Sequence, residues 1–144
     1  MLDKRKFYID GKWVSPSKPN DLEVINPSTE EAFATISLGS KEDTNSAVSA
    51  AKKALVNWSE SSKEERINLL EKLLEIYKNR YTEITEDISM EMGAPMDWSN
   101  DAQTSSGQSH LEDFIVRLKE FKFDEQFSPE SNNRICYEPI GVCG

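Results

Sequence analysis

Phe33–Leu38 (FATISL), Gly39 and Ser40–Trp58 (SKEDTNSAVSAAKKALVNW) decide how the chain is built, because the hydrophobic period changes across them. Phe33 to Leu38 reads as a short strand. Beyond Gly39, residues Ala47, Ala50, Ala51, Ala54, Leu55 and Trp58 recur at helical spacing. Ser40 with Asp43 three residues on is a weaker relative of the capping box and marks the helix start. The face this helix offers is made of small residues, which suits close packing. Strands therefore precede helices, and the chain is of the α/β class.

Reading toward the N-terminus, Asn26-Pro27-Ser28-Thr29-Glu30 is a turn, with Pro fixing φ and Asn able to bond its own backbone. Leu22–Ile25 is a strand and Ser15–Asn20, with two prolines, a loop. Asp10-Gly11 between Phe7–Ile9 and Lys12–Val14 is a hairpin signal. Reading toward the C-terminus, Ser62 with Glu65 forms a full capping box. An apolar stripe follows from Ile67 to Ile88 and is stopped by Gly93 and Pro95. Residues 62–92 are thus one long helix or two abutting ones, with the break expected near Tyr81. Residues 96–122 suggest a helix from Trp98, Ala102, Leu111, Phe114, Ile115, Leu118 and Phe121. Its first half, Gln103–Ser109, is polar and weak by propensity. Strands are expected at Phe123–Phe127 and Arg134–Glu138, around a polar turn, and Ile140–Gly144 looks like the start of a buried strand.

The composition bounds what this can do. The chain has 144 residues, 37% of them hydrophobic, which is low for a domain of this size. It carries 26 acidic and 17 basic residues, a net charge of −9. That disfavours nucleic acid and anionic membranes, both of which need a basic footprint. No apolar run approaches a membrane span, and no apolar segment follows the basic start as a secretory signal requires. Cys136 and Cys143 fit neither a disulfide framework nor a zinc site, so a reducing cytoplasm is the expected compartment.

Few residues offer chemistry. His110 is the only histidine, and a lone histidine in a helical region is more often structural than catalytic. Neither cysteine has a base or a positive local field near it in sequence, as a nucleophile would need. Seven residues apart, they would face opposite sides of one continuous strand. Gly141 and Gly144 are not followed by a helix, so they make no phosphate-binding loop. The acidic pairs Glu30-Glu31, Glu42-Asp43, Glu64-Glu65 and Glu86-Asp87 sit at turns, helix ends or polar faces, where helix dipoles explain them.

The order of motifs adds what single residues do not. Phe7–Val14 (FYIDGKWV) is similar to the opening Y-I-[ND]-G-x-W of the aldehyde dehydrogenase superfamily. Val24–Glu31 (VINPSTEE) resembles its V-x-N-P-[AS]-T-[GE]-E turn, and Ala47–Trp58 its A-V-x-A-A-x-x-A-x-x-x-W helix. Glu65-Arg66 with Leu69-Leu70, Glu91–Pro95 (EMGAP) and Glu138–Gly144 (EPIGVCG) resemble E-R-x-x-x-L, E-x-G-K-P and E-P-[ILV]-G-V-x-G. These motifs, in the family's order and spacing, cover the whole chain.

The resemblance implies an NAD(P)-dependent oxidoreductase that converts an aldehyde to a carboxylic acid. It implies the N-terminal hairpins and helices of the cofactor domain over 1–122 and the first strands of an oligomerisation flap over 123–138. Over 139–144 it implies the start of the first nucleotide-binding strand, in a Rossmann-like sheet that is incomplete here. The family's catalytic cysteine, its glutamate and its dinucleotide site all match segments beyond the last motif. No catalytic or cofactor-binding residue is therefore carried over, and the chain alone is expected to be inactive and to bind neither NAD nor NADP. Homo-oligomerisation as a dimer or tetramer through 123–138 is also implied, with a small aldehyde as substrate. One minor site transfers: the carbonyls of Val24 and Ile25 match positions that hold a monovalent cation in many members. The aspartate that completes that site falls on Gln103, with Asp101 nearby, and a neutral amide weakens it. Two other readings compete with the N-terminal part of an enzyme. One is a free-standing truncated module that docks onto a full-length dehydrogenase oligomer. The other is an unrelated binding domain with a closed core.

Overall fold

The computed structural model describes residues 1–144. Its N-terminal third is β. Strand β1 (Leu2–Asp3) lies parallel to β5 (Glu31–Ser37), which pairs antiparallel with β4 (Asp21–Asn26), giving the order β1-β5-β4. Strands β2 (Phe7–Ile9) and β3 (Lys12–Val14) form a separate hairpin. Its two-residue loop places Asp10 at φ 55° and Gly11 at φ 74°, the geometry that right-twisted strands demand of a tight turn.

The helices start and stop where local chemistry directs. Helix α1 (Lys41–Trp58) opens on Ser40, whose hydroxyl accepts from the Asp43 amide while the Asp43 carboxylate accepts from the Ser40 amide. Asp43 also accepts from the Ser17 amide at 2.9 Å, so the same carboxylate ties the 15–20 loop to the helix. Helix α2 (Lys63–Asn79) opens on a reciprocal Ser62–Glu65 box. The expected break falls at Arg80, where φ −102° and ψ 14° interrupt the helix before α3 (Tyr81–Met92). Gly93 ends α3 at φ +70°. A Cβ at Gly93 would lie 2.8 Å from Pro27 Cγ, so the Asn26–Glu30 turn sits directly on the end of α3.

The expected helix over 96–122 begins with a one-turn piece, α4 (Met96–Trp98), continues as π-helix over Ser99–Thr104, and becomes α5 (Ser105–Glu120). The π geometry explains the polar run. Widening the turn frees backbone carbonyls, and hydroxyls take them up. Tyr81 donates to Asn100 O at 2.6 Å and Tyr77 to Thr104 O at 3.0 Å. Ser105 donates to Asp101 O and Ser106 to Ala102 O, each at 2.6 Å. Thr85 and Thr104 share a buried hydroxyl bond of 2.9 Å.

The hairpin β6 (Asp124–Gln126) and β7 (Arg134–Cys136) forms as expected, though shorter. Residues 140–144 do not form the expected strand, because no neighbouring strand within the chain offers them a ladder. No helix is long and apolar enough to cross a membrane. Only 8 of the 144 residues are buried, and five of those are polar or charged. Large apolar side chains remain open: Val56 is 70% exposed, Phe127 66% and Ile140 95%. Among the helices, the packing runs from α2 to α5, from α5 to the π segment and from there to α3, and α1 touches the rest of the chain sparsely.

Candidate functional site

Val24 and Ile25 lie where the β4–β5 ladder slips. Val24 faces Ala34 and Ile25 faces Ala32, leaving Phe33 as the extra residue of a bulge, and a bulge locally disrupts the ladder. Asn26 closes the turn beside them. Its carbonyl accepts from the Glu30 amide at 2.8 Å and its side chain from the Ser28 amide at 2.9 Å. Helix α3 packs against both β4 and the π segment. Gln103 and Asp101, in the π segment, form no hydrogen bond with Val24 or Ile25. The Asp101 carboxylate is exposed and accepts from Asn100 Nδ2 at 2.6 Å. No group of three or more histidine, cysteine or acidic side chains converges anywhere in the chain. The Ser99 hydroxyl, at the first π position, is fully buried with no hydrogen-bond partner.

His110 is exposed on α5. Cys136 and Cys143 are both free and exposed. Cys143 lies outside any strand, so the two do not share one. Desolvation, and then the Asp124 carboxylate that accepts its S–H, push the Cys136 thiol up. That holds it protonated at neutral pH, the reverse of what a nucleophile needs.

A different group of side chains converges at the base of the β6–β7 hairpin. Phe121 and Phe123 meet edge to face with centroids 4.9 Å apart, and Tyr137 lies 5.2 Å from Phe121. The Tyr137 amide donates to Phe123 O at 2.8 Å. Against this cluster stands the first turn of α2. The Arg66 guanidinium lies 5.3 Å from the Phe123 ring and 5.8 Å from the Trp58 ring. It donates through Nε to Ser61 Oγ at 2.8 Å and through Nη2 to the carbonyls of Ser59 and Trp58 at 3.3 and 3.4 Å. A cation at those carbonyls suits the C-terminal end of α1. Lys63 Nζ donates to Lys119 O at 2.8 Å and Phe121 O at 3.2 Å, closing the end of α5. Beside them an open groove of about 1010 Å³ runs between α1 and the hairpin. Sequence reasoning placed Glu65-Arg66 in a motif but gave Arg66 no task. Its partners lie across the fold, so no local pattern exposes them.

With this geometry in hand, comparison with known proteins identifies the class. The aldehyde dehydrogenase family matches residues 13–144. A 3-succinoylsemialdehyde-pyridine dehydrogenase of a Pseudomonas species is 39% identical over 145 aligned positions, covering 100% of this chain and 30% of that protein. A putative aldehyde dehydrogenase of Staphylococcus epidermidis is 38% identical, with the same coverage of 100% and 30%. Among solved structures, an aldehyde dehydrogenase from Bartonella henselae superposes with a TM-score of 0.90 at 52% identity, over 92% of this chain and 28% of that one. A mutant aldehyde dehydrogenase C from Pseudomonas syringae, complexed with NAD+ and octanal, gives 0.83 at 34%, over 86% and 26%. The chain belongs to the aldehyde dehydrogenase family. It spans about 30% of the length of the curated relatives it matches.

Proposed function

We propose that this chain serves as the N-terminal portion of an NAD(P)-dependent oxidoreductase that oxidises an aldehyde to a carboxylic acid. The observation that carries this is the joint match of sequence and fold, 52% identity with a TM-score of 0.90 over 92% of the chain. In that role NAD or NADP, when bound by the whole enzyme, accepts the hydride removed from the aldehyde. The residues present here do scaffold work. The turn at Asn26–Glu30 and the end of α3 lock together at Gly93, and the π segment is held by Tyr77, Tyr81 and Thr85. Residues 1–122 serve as the framework of the cofactor domain, and 123–138 as the first part of an oligomerisation element. Residues 139–144 lead into the first nucleotide-binding strand, which forms once neighbouring strands are supplied. The exposed apolar side chains of α1, the hairpin and the tail support this division, because surfaces of that kind mark contacts with further protein.

A small aldehyde is the substrate, the assembly a homodimer or homotetramer, and the compartment the cytoplasm, where free exposed thiols persist. The carbonyls of Val24 and Ile25, at the bulge, supply a weak monovalent cation site. The alternative of a truncated module that docks onto a full-length dehydrogenase draws on the unpaired outer edges of β6 and β7, which can accept another strand.

An assay with octanal and either NAD or NADP tests the proposal. The product of the whole gene should generate reduced nicotinamide, and the 144-residue chain by itself should generate none. Sustained turnover by the pure short chain, or none by the whole gene product over a panel of aldehydes, contradicts it.

A further inference from the structure

We infer that Lys63 and Arg66 are positioning residues that fix the pose of the β6–β7 hairpin on the helical body. The hairpin has two strands of three residues each, and an isolated ribbon of that size is marginal in water. Its own cross-strand ion pair, Arg134 to Asp124 at 2.7 Å, is solvent-exposed and contributes little to its orientation. It is joined to α5 by the chain at Phe121–Phe123 and by the packing of Phe121 on Phe123 and Tyr137, and that junction is held from outside by the α2 first turn. Lys63 holds the last carbonyls of α5 and of Phe121, and Arg66 lies on Phe123 while it holds the end of α1. The two cations stand one helical turn apart, so they act on the same face of α2.

Neither Lys63 nor Arg66 has a carboxylate partner, in a chain with nine more acidic than basic side chains. Both are committed to backbone carbonyls, a hydroxyl and aromatic faces instead. Arginine suits its position because its planar fork donates in several directions while one face lies on a ring. A lysine there keeps the charge and loses the fork. The consequence lies at the outer edges of β6 and β7. Their direction relative to the helices is set by this bracket, and with it the geometry in which a second copy can pair. That consequence rests on the proposed assembly role of 123–138. The bracket itself does not.

The test uses spin labels at Ser109→Cys on α5 and Asn132→Cys at the hairpin tip, with Cys136→Ser and Cys143→Ser, and reads the label-to-label distance distribution by pulsed electron resonance. Expected is a narrow distribution in the parent, a broad one in Lys63→Ala/Arg66→Ala, and partial narrowing when Arg66→Lys replaces Arg66→Ala. Far-UV circular dichroism shows whether the helices persist; where the double variant fails to fold, Arg66→Lys alone decides, with broadening expected. A distribution as narrow as the parent's in a folded variant overturns the inference. Light scattering on the same samples reads the assembly. With a monomeric parent the label distances alone decide the bracket. An assembled parent should shift at least tenfold toward monomer at equal concentration in the double variant.

Discussion

The helical cluster and the β6–β7 hairpin are stabilised in opposite ways. In the cluster, Ile67, Ile115, Thr85, Ser99 and Thr104 are shut away from solvent, and hydroxyls from α3 and α2 reach the carbonyls that the π segment leaves open. In the hairpin no residue is fully buried, Phe127 is 66% exposed, and Ile140 just beyond it is 95% exposed. One region holds a small interior of its own. The other is attached through a bracket at its base and presents the rest to whatever covers it. The cluster adds hydroxyl bonds to a small apolar core, and exposed apolar side chains run over its outer faces as well, Leu69, Leu73, Phe114 and Val116 among them, besides those of α1, the hairpin and the tail. Such open apolar surface is expected of a family segment whose relatives are three times its length.

That contrast can be broken at the cluster first. A Cβ at Gly107 would stand 2.9 Å from Tyr77 Cζ and would displace the ring that holds Thr104 O. Gly107→Ala should cost about 3 kcal/mol by overpacking, read as a lower denaturation midpoint. Thr85→Val keeps the shape and leaves the buried Thr104 hydroxyl without its partner, so it should cost about 1–2 kcal/mol. A loss below a few tenths from either would mean the cluster is not where stability resides.

The acid limb sharpens the same point. Backbone amides donating to the carboxylates of Asp43 and Glu65 hold both below the usual carboxylate range. The folded chain then binds these protons less readily than the unfolded one, so stability is full above the ordinary carboxylate pKa, about 4, and is lost as pH falls through and below it. Asp43→Asn should flatten that limb in a urea series across pH, and an unchanged slope would remove Asp43 from the account. The smallest effect belongs to the hairpin. Phe127→Ser should change the stability of the isolated chain by less than about 0.5 kcal/mol. A large loss there would show that the hairpin closes on the helices after all.

What was legible in the sequence was local. Ser40 with Asp43, Ser62 with Glu65, Asp10-Gly11 and Gly93 each act within one turn of chain, and each sits where the pattern put it. The break before Tyr81 is readable from the β-branched and aromatic residues clustered there. The π segment is not, since Ser99–Thr104 reads only as weak helix, and its geometry depends on Tyr77, Tyr81 and Thr85 from other elements. Ile140–Val142 has strand composition but forms no strand within this chain, because composition does not supply a partner. For the site, the motifs located the Val24-Ile25 turn. Its contact with Gly93, and the reach of Arg66 to Phe123, join residues more than fifty positions apart and leave no local trace.

The most direct measurement is the intact mass of the native gene product, purified from its source cell and assayed with an aldehyde and NAD or NADP. The account predicts a mass several-fold above the 16.4 kDa of this chain, with aldehyde-dependent reduction of the nicotinamide. A native product of 16.4 kDa would contradict it and leave the dehydrogenase fold as ancestry alone.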